Sequence, residues 1–185
     1  LAAATYPNYD LAEFIINDKY AKELFDDKNS VFLSRAIDYP LAPGSIFKPV
    51  VACAALQEGC MTNSTAIHCS GFLSLGVGQK PLNCHLRSGH GSLTLKNAIA
   101  KSCNVFFGTQ GLNLGIERIN MYAKRFGLGV KTGIEINETI GTLTAPEGDA
   151  ARSAIGQAEN TLSAMQLATY TATIANGGHR YISHL

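Results

Sequence analysis

The chain has 185 residues, 46 % of them hydrophobic and 16 % charged, with a formal net charge of +1. That length and apolar content suit one ordinary globular domain and exclude a charge-rich disordered tail. The near-zero charge removes an electrostatic case for nucleic acid, so no nucleic-acid partner is expected. Five cysteines are too few for a disulfide scaffold, and an odd number cannot all pair. Asn160 to His179, the longest uncharged stretch, is rich in Ser, Thr and Asn and is not a membrane span. The chain opens without Met and reads as trimmed, so a missing anchor says little about location.

In chain order, Leu1 to Thr5 reads as the end of a strand, and Asp10 to Asn29 as short surface helical turns. Pro40 to Gly44 breaks the chain. A helix then starts at Ser45, with Phe47, Val50, Val51, Ala54 and Ala55 inward, Pro49 in its first turn and Gly59 as its stop. Cys53 on this helix is expected in the core. Cys60 to Gly91 reads as irregular loop, and Thr94 as the cap of a helix from Leu95 to about Lys101. Helical pattern resumes near Val105. A further amphipathic helix fits Ile116 to Phe126. Gly133 to Ile136 is expected as a short strand. Thr161 or Ser163 caps a final helix with Ala164, Leu167, Ala168, Thr171, Ile174 and Ala175 inward. Tyr181 to Leu185 reads as the start of a strand.

Ser45-Ile46-Phe47-Lys48 is an S-x-x-K tetrad at a helix start. Residues three apart share a helical face, so the amine can reach the hydroxyl. A serine needs a base to become a nucleophile, and a lysine serves if burial lowers its pKa. Backbone N–H groups at a helix start favour a developing oxyanion. A capping serine followed by a surface lysine is the bland reading of the same tetrad. Ser102-Cys103-Asn104 downstream shifts the balance, because S-x-x-K with S-x-N is the motif pair of penicillin-binding proteins and serine β-lactamases.

The wider wording resembles that family along nearly the whole chain. It includes Tyr39-Pro40-Leu41-Ala42-Pro43-Gly44 before the tetrad, Gly89-His90-Gly91, Ala98 to Phe107, Ile155-Gly156-Gln157 and Ile174-Ala175-Asn176-Gly177-Gly178. It is most similar to the transpeptidase domain of class B, elongation-type penicillin-binding proteins. The resemblance implies a mixed α+β fold, a helical subdomain with a partial antiparallel sheet, as in serine β-lactamases. It implies that residues 1–185 are part of a transpeptidase domain cut at both ends. It assigns Ser45 as the acylated nucleophile, Lys48 as its base, Ser102 as proton relay and Asn104 as holder of Lys48 and of the substrate amide. The implied reaction is peptidoglycan DD-transpeptidation: attack on D-Ala-D-Ala of a stem peptide, then transfer to a second stem's amine. β-Lactams would acylate the same serine. The implied partner is a membrane glycosyltransferase of the RodA type, and the implied place is the extracytoplasmic face of the bacterial cell membrane. A serine β-lactamase or a β-lactam sensor domain are the other readings.

Lys131-Thr132-Gly133 imitates the family's third motif, K-T-G, but lies only 27 residues after Asn104. By the resemblance this stretch is a structural connection. The catalytic K-T-G strand, with the second oxyanion-hole N–H, belongs after Leu185.

Cys69, Cys84, His90 and Cys103 form C-x14-C-x5-H-x12-C. Thiolates and imidazole are the ligands Zn2+ prefers, and Cys3His is a closed structural set. A Cys69–Cys84 disulfide or unrelated buried cysteines are the competing readings. Elongation-type relatives resemble this in carrying ligands beside the S-x-N loop, with carboxylates at some positions. His68 and His85, each next to a cysteine, are spare ligands; His179 and His184 carry no argument.

Overall fold

A computed structural model describes residues 3–184. Two short helices, α1 (Leu11–Ile16) and α2 (Asp18–Phe25), fill the expected turns. Asp10 and Asn17 cap them by accepting the first free N–H groups. The Ser45 helix opens as a 3₁₀ turn, Gly44–Phe47, and continues as α3 (Lys48–Gln57) with Pro49 in its first turn. Four short strands follow: β1 (Ile67–Cys69), β2 (Phe72–Leu73), β3 (Leu82–Asn83) and β4 (Gly91–Leu93). β1 pairs with β4, and β2 with β3, both antiparallel. The remaining helices are α4 (Leu95–Ala100), α5 (Asn104–Leu114), α6 (Ile116–Arg125), α7 (Ala150–Ser153) and α8 (Ala164–Ala175).

The core lies where α3 packs on α5 and α6. The predicted inner face of α3 is correct: Phe47, Val50, Val51, Ala54 and Ala55 are all fully buried. Phe106 and Phe107 of α5 join them with no exposure. Each such aromatic adds about 2–3 kcal/mol of burial. α7 rides on the bare backbone of α5. A side chain at Gly111 would sit 2.5 Å from Ala150 O and from Ala154 Cβ, so only glycine permits this approach.

Several sequence expectations differ from the structure. Residues 3–5 form no strand, and Leu1 and Ala2 lie outside the described residues. The stretch 60–91 is not all loop; its two- and three-residue strands are too short to carry a periodic signal. Thr94 starts α4 without a side-chain cap bond. Gly133 to Ile136 forms no strand, because the Glu138 carboxylate takes the Thr132 and Gly133 N–H groups that a ladder would need. Residues 181–184 form no strand either, and Leu185 is outside the described residues. Cys53 is exposed, not in the core.

α8 faces the opposite way from its apolar pattern. It buries Gln166, Thr169, Tyr170 and Thr173 and exposes Ala164, Thr171, Ile174 and Ala175. The polar side goes inward because it has bonds to make there. Gln166 donates to Val130 O and Ile140 O, while its carbonyl oxygen completes a capping box with Ser163.

Candidate active site

Ser45 is placed by a backbone clasp. Gly44 N donates to Gly156 O at 2.9 Å, and Leu41 and Leu162 exchange bonds of 2.9 and 2.8 Å just upstream. Tyr170 Oη on α8 donates to Ile46 O at 3.0 Å, holding the 3₁₀ turn from its other side. The Ser45 residue is exposed, whereas Lys48 beneath it is 2 % exposed. An accessible hydroxyl therefore stands over a buried amine.

Ser102 and Asn104 arrive from the α4–α5 junction. Cys103 caps α5, its Sγ accepting from Phe106 N at 3.5 Å, so Asn104 opens the helix. Ser102 has φ 47, a left-handed conformation that turns both its carbonyl and its hydroxyl toward Lys48. The Lys48 amine lies 3.1 Å from Ser45 Oγ, 2.7 Å from Ser102 O, 2.9 Å from Ser102 Oγ and 2.8 Å from Asn104 Oδ1. Ser102 Oγ and Ser45 Oγ are 2.8 Å apart. Asn104 Nδ2 donates to Asn83 O at 2.9 Å, which leaves Oδ1 to face the lysine.

This geometry can deliver a free base. Ser102 O and Asn104 Oδ1 only accept hydrogen bonds, so they take the two N–H groups of a neutral amine. The lone pair then faces the two hydroxyls. Burial brings the Lys48 pKa down from 10.5 to about 8; the nearby Cys84 and Cys103 thiols offset part of that. The neutral amine is thus accessible at mildly alkaline pH.

The second predicted set also comes together. The ligand atoms of Cys69, Cys84, His90 and Cys103 all lie within 4.8 Å of one another, directly behind the Ser102–Asn104 turn. His90 Nδ1 is 3.6 Å from Cys69 Sγ and 3.5 Å from Cys84 Sγ. The three thiols are buried and free. Burial pushes the Cys103 thiol up to about 12. Burial, then the charges of His85, Lys101 and Lys48, lower the His90 pKa and favour neutral imidazole. His85 packs against His90 at a tilt of 58° with ring centroids 5.0 Å apart, its Nδ1 4.0 Å from Cys84 Sγ, while His68 is exposed on β1.

Lys131-Thr132-Gly133 has other employment. Thr132 Oγ1 and N, and Gly133 N, all donate to the Glu138 carboxylate, tying a surface loop. Lys131 itself is exposed. A cleft of about 560 Å³ between α8 and residues 179–184 includes none of Ser45, Lys48, Ser102 or Asn104.

The model of the penicillin binding protein transpeptidase domain matches residues 1–185. The chain belongs to the penicillin-binding protein transpeptidase family. It is 32 % identical to the peptidoglycan D,D-transpeptidase MrdA of Haemophilus influenzae, covering all of this chain and 31 % of that protein. Among solved structures, it is similar to the penicillin G acyl-enzyme complex of penicillin-binding protein A from M. tuberculosis, at TM-score 0.87 and 27 % identity, over 100 % of this chain and 45 % of that one. It is also similar to a chain of a peptidoglycan synthase complex that coordinates polymerization and crosslinking, at TM-score 0.89 and 33 % identity, over 100 % and 34 % of the two chains. These likenesses bear out the expected mixed fold of the family. The chain spans about a third of the length of the curated relatives it matches.

Asn83, Gly156 and Tyr170 support the site without having been singled out by sequence reasoning. Gly156 lay inside the resemblance, but no signal marked the backbone contacts of the other two.

Proposed function

We propose that the chain is the acyl-transfer core of a peptidoglycan DD-transpeptidase. The observation that carries this is the single buried amine bonded to Ser45 Oγ, Ser102 Oγ and Asn104 Oδ1, in a chain of this family. Ser45 Oγ attacks the carbonyl of the penultimate D-Ala while its proton passes to neutral Lys48. The carbonyl–nitrogen bond breaks. Ser102 relays the proton from Lys48 to the departing D-Ala amine, leaving an ester on Ser45. In the second half, an acceptor stem's amine gives its proton back through the same pair, attacks the ester and frees Ser45. Asn104 keeps Lys48 in register, and the N–H of Ser45, at the helix start, faces the developing oxyanion. The K-T-G wall of the cleft belongs to the remainder of the protein, in keeping with the span of the relatives.

Stem peptides and β-lactams are the ligands, and likeness to a penicillin G acyl-enzyme supports the second. Likeness to a chain of a synthase complex supports a polymerising partner, a membrane glycosyltransferase of the RodA type. Such a substrate places the domain on the extracytoplasmic face of the cell membrane. No helix among the described residues is long and apolar enough to cross a membrane.

The test uses the full-length protein. Fluorescent penicillin should label wild type and not Ser45→Ala, and a D-Ala-D-Ala stem peptide should lose D-Ala. Rapid nitrocefin turnover would identify a β-lactamase instead. Labelling without any peptide processing would identify a sensor.

The Cys69, Cys84, His90 and Cys103 set fits Zn2+ in a structural role. Its S···N separations of 3.5 and 3.6 Å agree with the edge of about 3.5 Å that tetrahedral Zn–S and Zn–N bonds require. Zn2+ there would hold three thiolates and an imidazole and take no part in the reaction. Its ligand Cys103 would keep Ser102 and Asn104 aimed. Cys103→Ser is expected to lose the metal, read by elemental analysis, and to slow penicillin acylation about 10-fold or more. Metal loss with unchanged acylation would refute the supporting role.

A further inference from the structure

The amide nitrogen of Asn104 is held by one backbone atom, Asn83 O, on a two-residue strand. A ladder so short has little stiffness of its own. One face of β3 is anchored on α5, where Leu82 lies against the backbone of Gly108; a side chain at that glycine would come within 2.4 Å of Leu82 Cδ2. The approach to β3 is held by something else. Arg152 of α7 reaches across and donates from Nη2 to Lys80 O at 2.8 Å and Pro81 O at 3.4 Å. Its Nη1 donates to the Asp149 carboxylate, which also caps α7 by accepting from Arg152 N at 2.8 Å. The guanidinium is thereby pre-oriented, with its charge matched: Nη1 faces the carboxylate while Nη2 closes on two successive carbonyls.

We propose that Arg152 is a positioning residue for the reaction: by clamping Lys80 and Pro81 it holds Asn83 O where it turns the Asn104 amide, so that Oδ1 faces Lys48. The chain of contacts is continuous, from Asp149 through Arg152, the 80–83 segment and Asn104 to the amine. The same residues, with Gln157, line a cleft of about 400 Å³ that opens beside Asn104. A loosened clamp would therefore act at the wall of the site and not through the distant core. Lysine cannot replace this arginine, because an ammonium lacks the planar fork that spans two carbonyls and a carboxylate.

This inference rests on the transpeptidase reading, and its test separates the two. The full-length protein is compared with Arg152→Met, Arg152→Lys, Asn104→Ala and the double variant Arg152→Met/Asn104→Ala. Both Arg152 variants should remain folded by circular dichroism and lose about tenfold in the penicillin acylation rate. In the Asn104→Ala background, Arg152→Met should cost less than about twofold more, since the atom it positions is gone. By NMR, the Asn104 side-chain amide should exchange with solvent faster in Arg152→Met than in wild type. Unchanged amide exchange overturns the clamp whether or not penicillin reacts. So does full acylation by either Arg152 variant, or an equal loss in both backgrounds, which is what a merely structural role gives. A wild type that penicillin never labels counts against the transpeptidase reading instead, and the exchange measurement still decides the clamp.

Discussion

Lys48→Ala is expected to lower the acylation rate of Ser45 by about 10³–10⁴-fold, because it removes both the general base and the group that orients the nucleophile. The measurement is stopped-flow or gel-based labelling with a fluorescent penicillin. A loss below tenfold would mean that Lys48 is not the base. The wild-type rate should also follow the neutral fraction of Lys48. Only the unprotonated amine accepts a proton, so acylation rises with pH, passes its midpoint at about 8 and levels off above it. The sign follows from burial: an exposed lysine would put that midpoint near 10.5. Disturbing the packing around Lys48 should move the midpoint upward toward that value.

Gly156→Ala should damage the fold and the site together. Gly156 has φ +70, and a Cβ there would lie 2.1 Å from Gly44 O. Neither the backbone strain nor the clash can be relieved by a flexible side chain, since the obstructing atom is main chain. A destabilisation of about 3 kcal/mol or more is expected, with acylation lost even in the fraction that folds. Thermal denaturation and penicillin labelling read the two effects separately. A variant that melts like wild type and is labelled at full rate would show that the Gly44–Gly156 clasp does not set Ser45.

The parts of this site that were legible beforehand are those where chemistry sits in side chains close in sequence. Ser45 and Lys48 share one helical turn, and Ser102 and Asn104 share one junction. The inner face of α3 was legible because its apolar residues recur at helical spacing. Across the chain, the cysteines and His90 were grouped by ligand type, and the fold draws them to one point. What was illegible in the site itself rests on main-chain atoms as partners. Asn83 contributes a carbonyl, Gly156 a carbonyl and a missing Cβ, Ile46 a carbonyl to Tyr170. None of these leaves a mark in side-chain composition. α8 was misjudged for the same reason, since its inward Gln166 and Tyr170 are drawn to backbone groups of distant segments.

The shortest bond that Lys48 makes in this site is to the carbonyl of Ser102, at 2.7 Å. That oxygen is common to all twenty amino acids. A codon change at position 102 can delete the hydroxyl but not the carbonyl, provided the new residue accepts the left-handed backbone. The molecule thus keeps two assignments at one residue on separate genetic footings. Proton traffic through the hydroxyl is exposed to point mutation, whereas the mooring of the amine is not. Variants at 102 that stall the chemistry should therefore still present a correctly seated lysine.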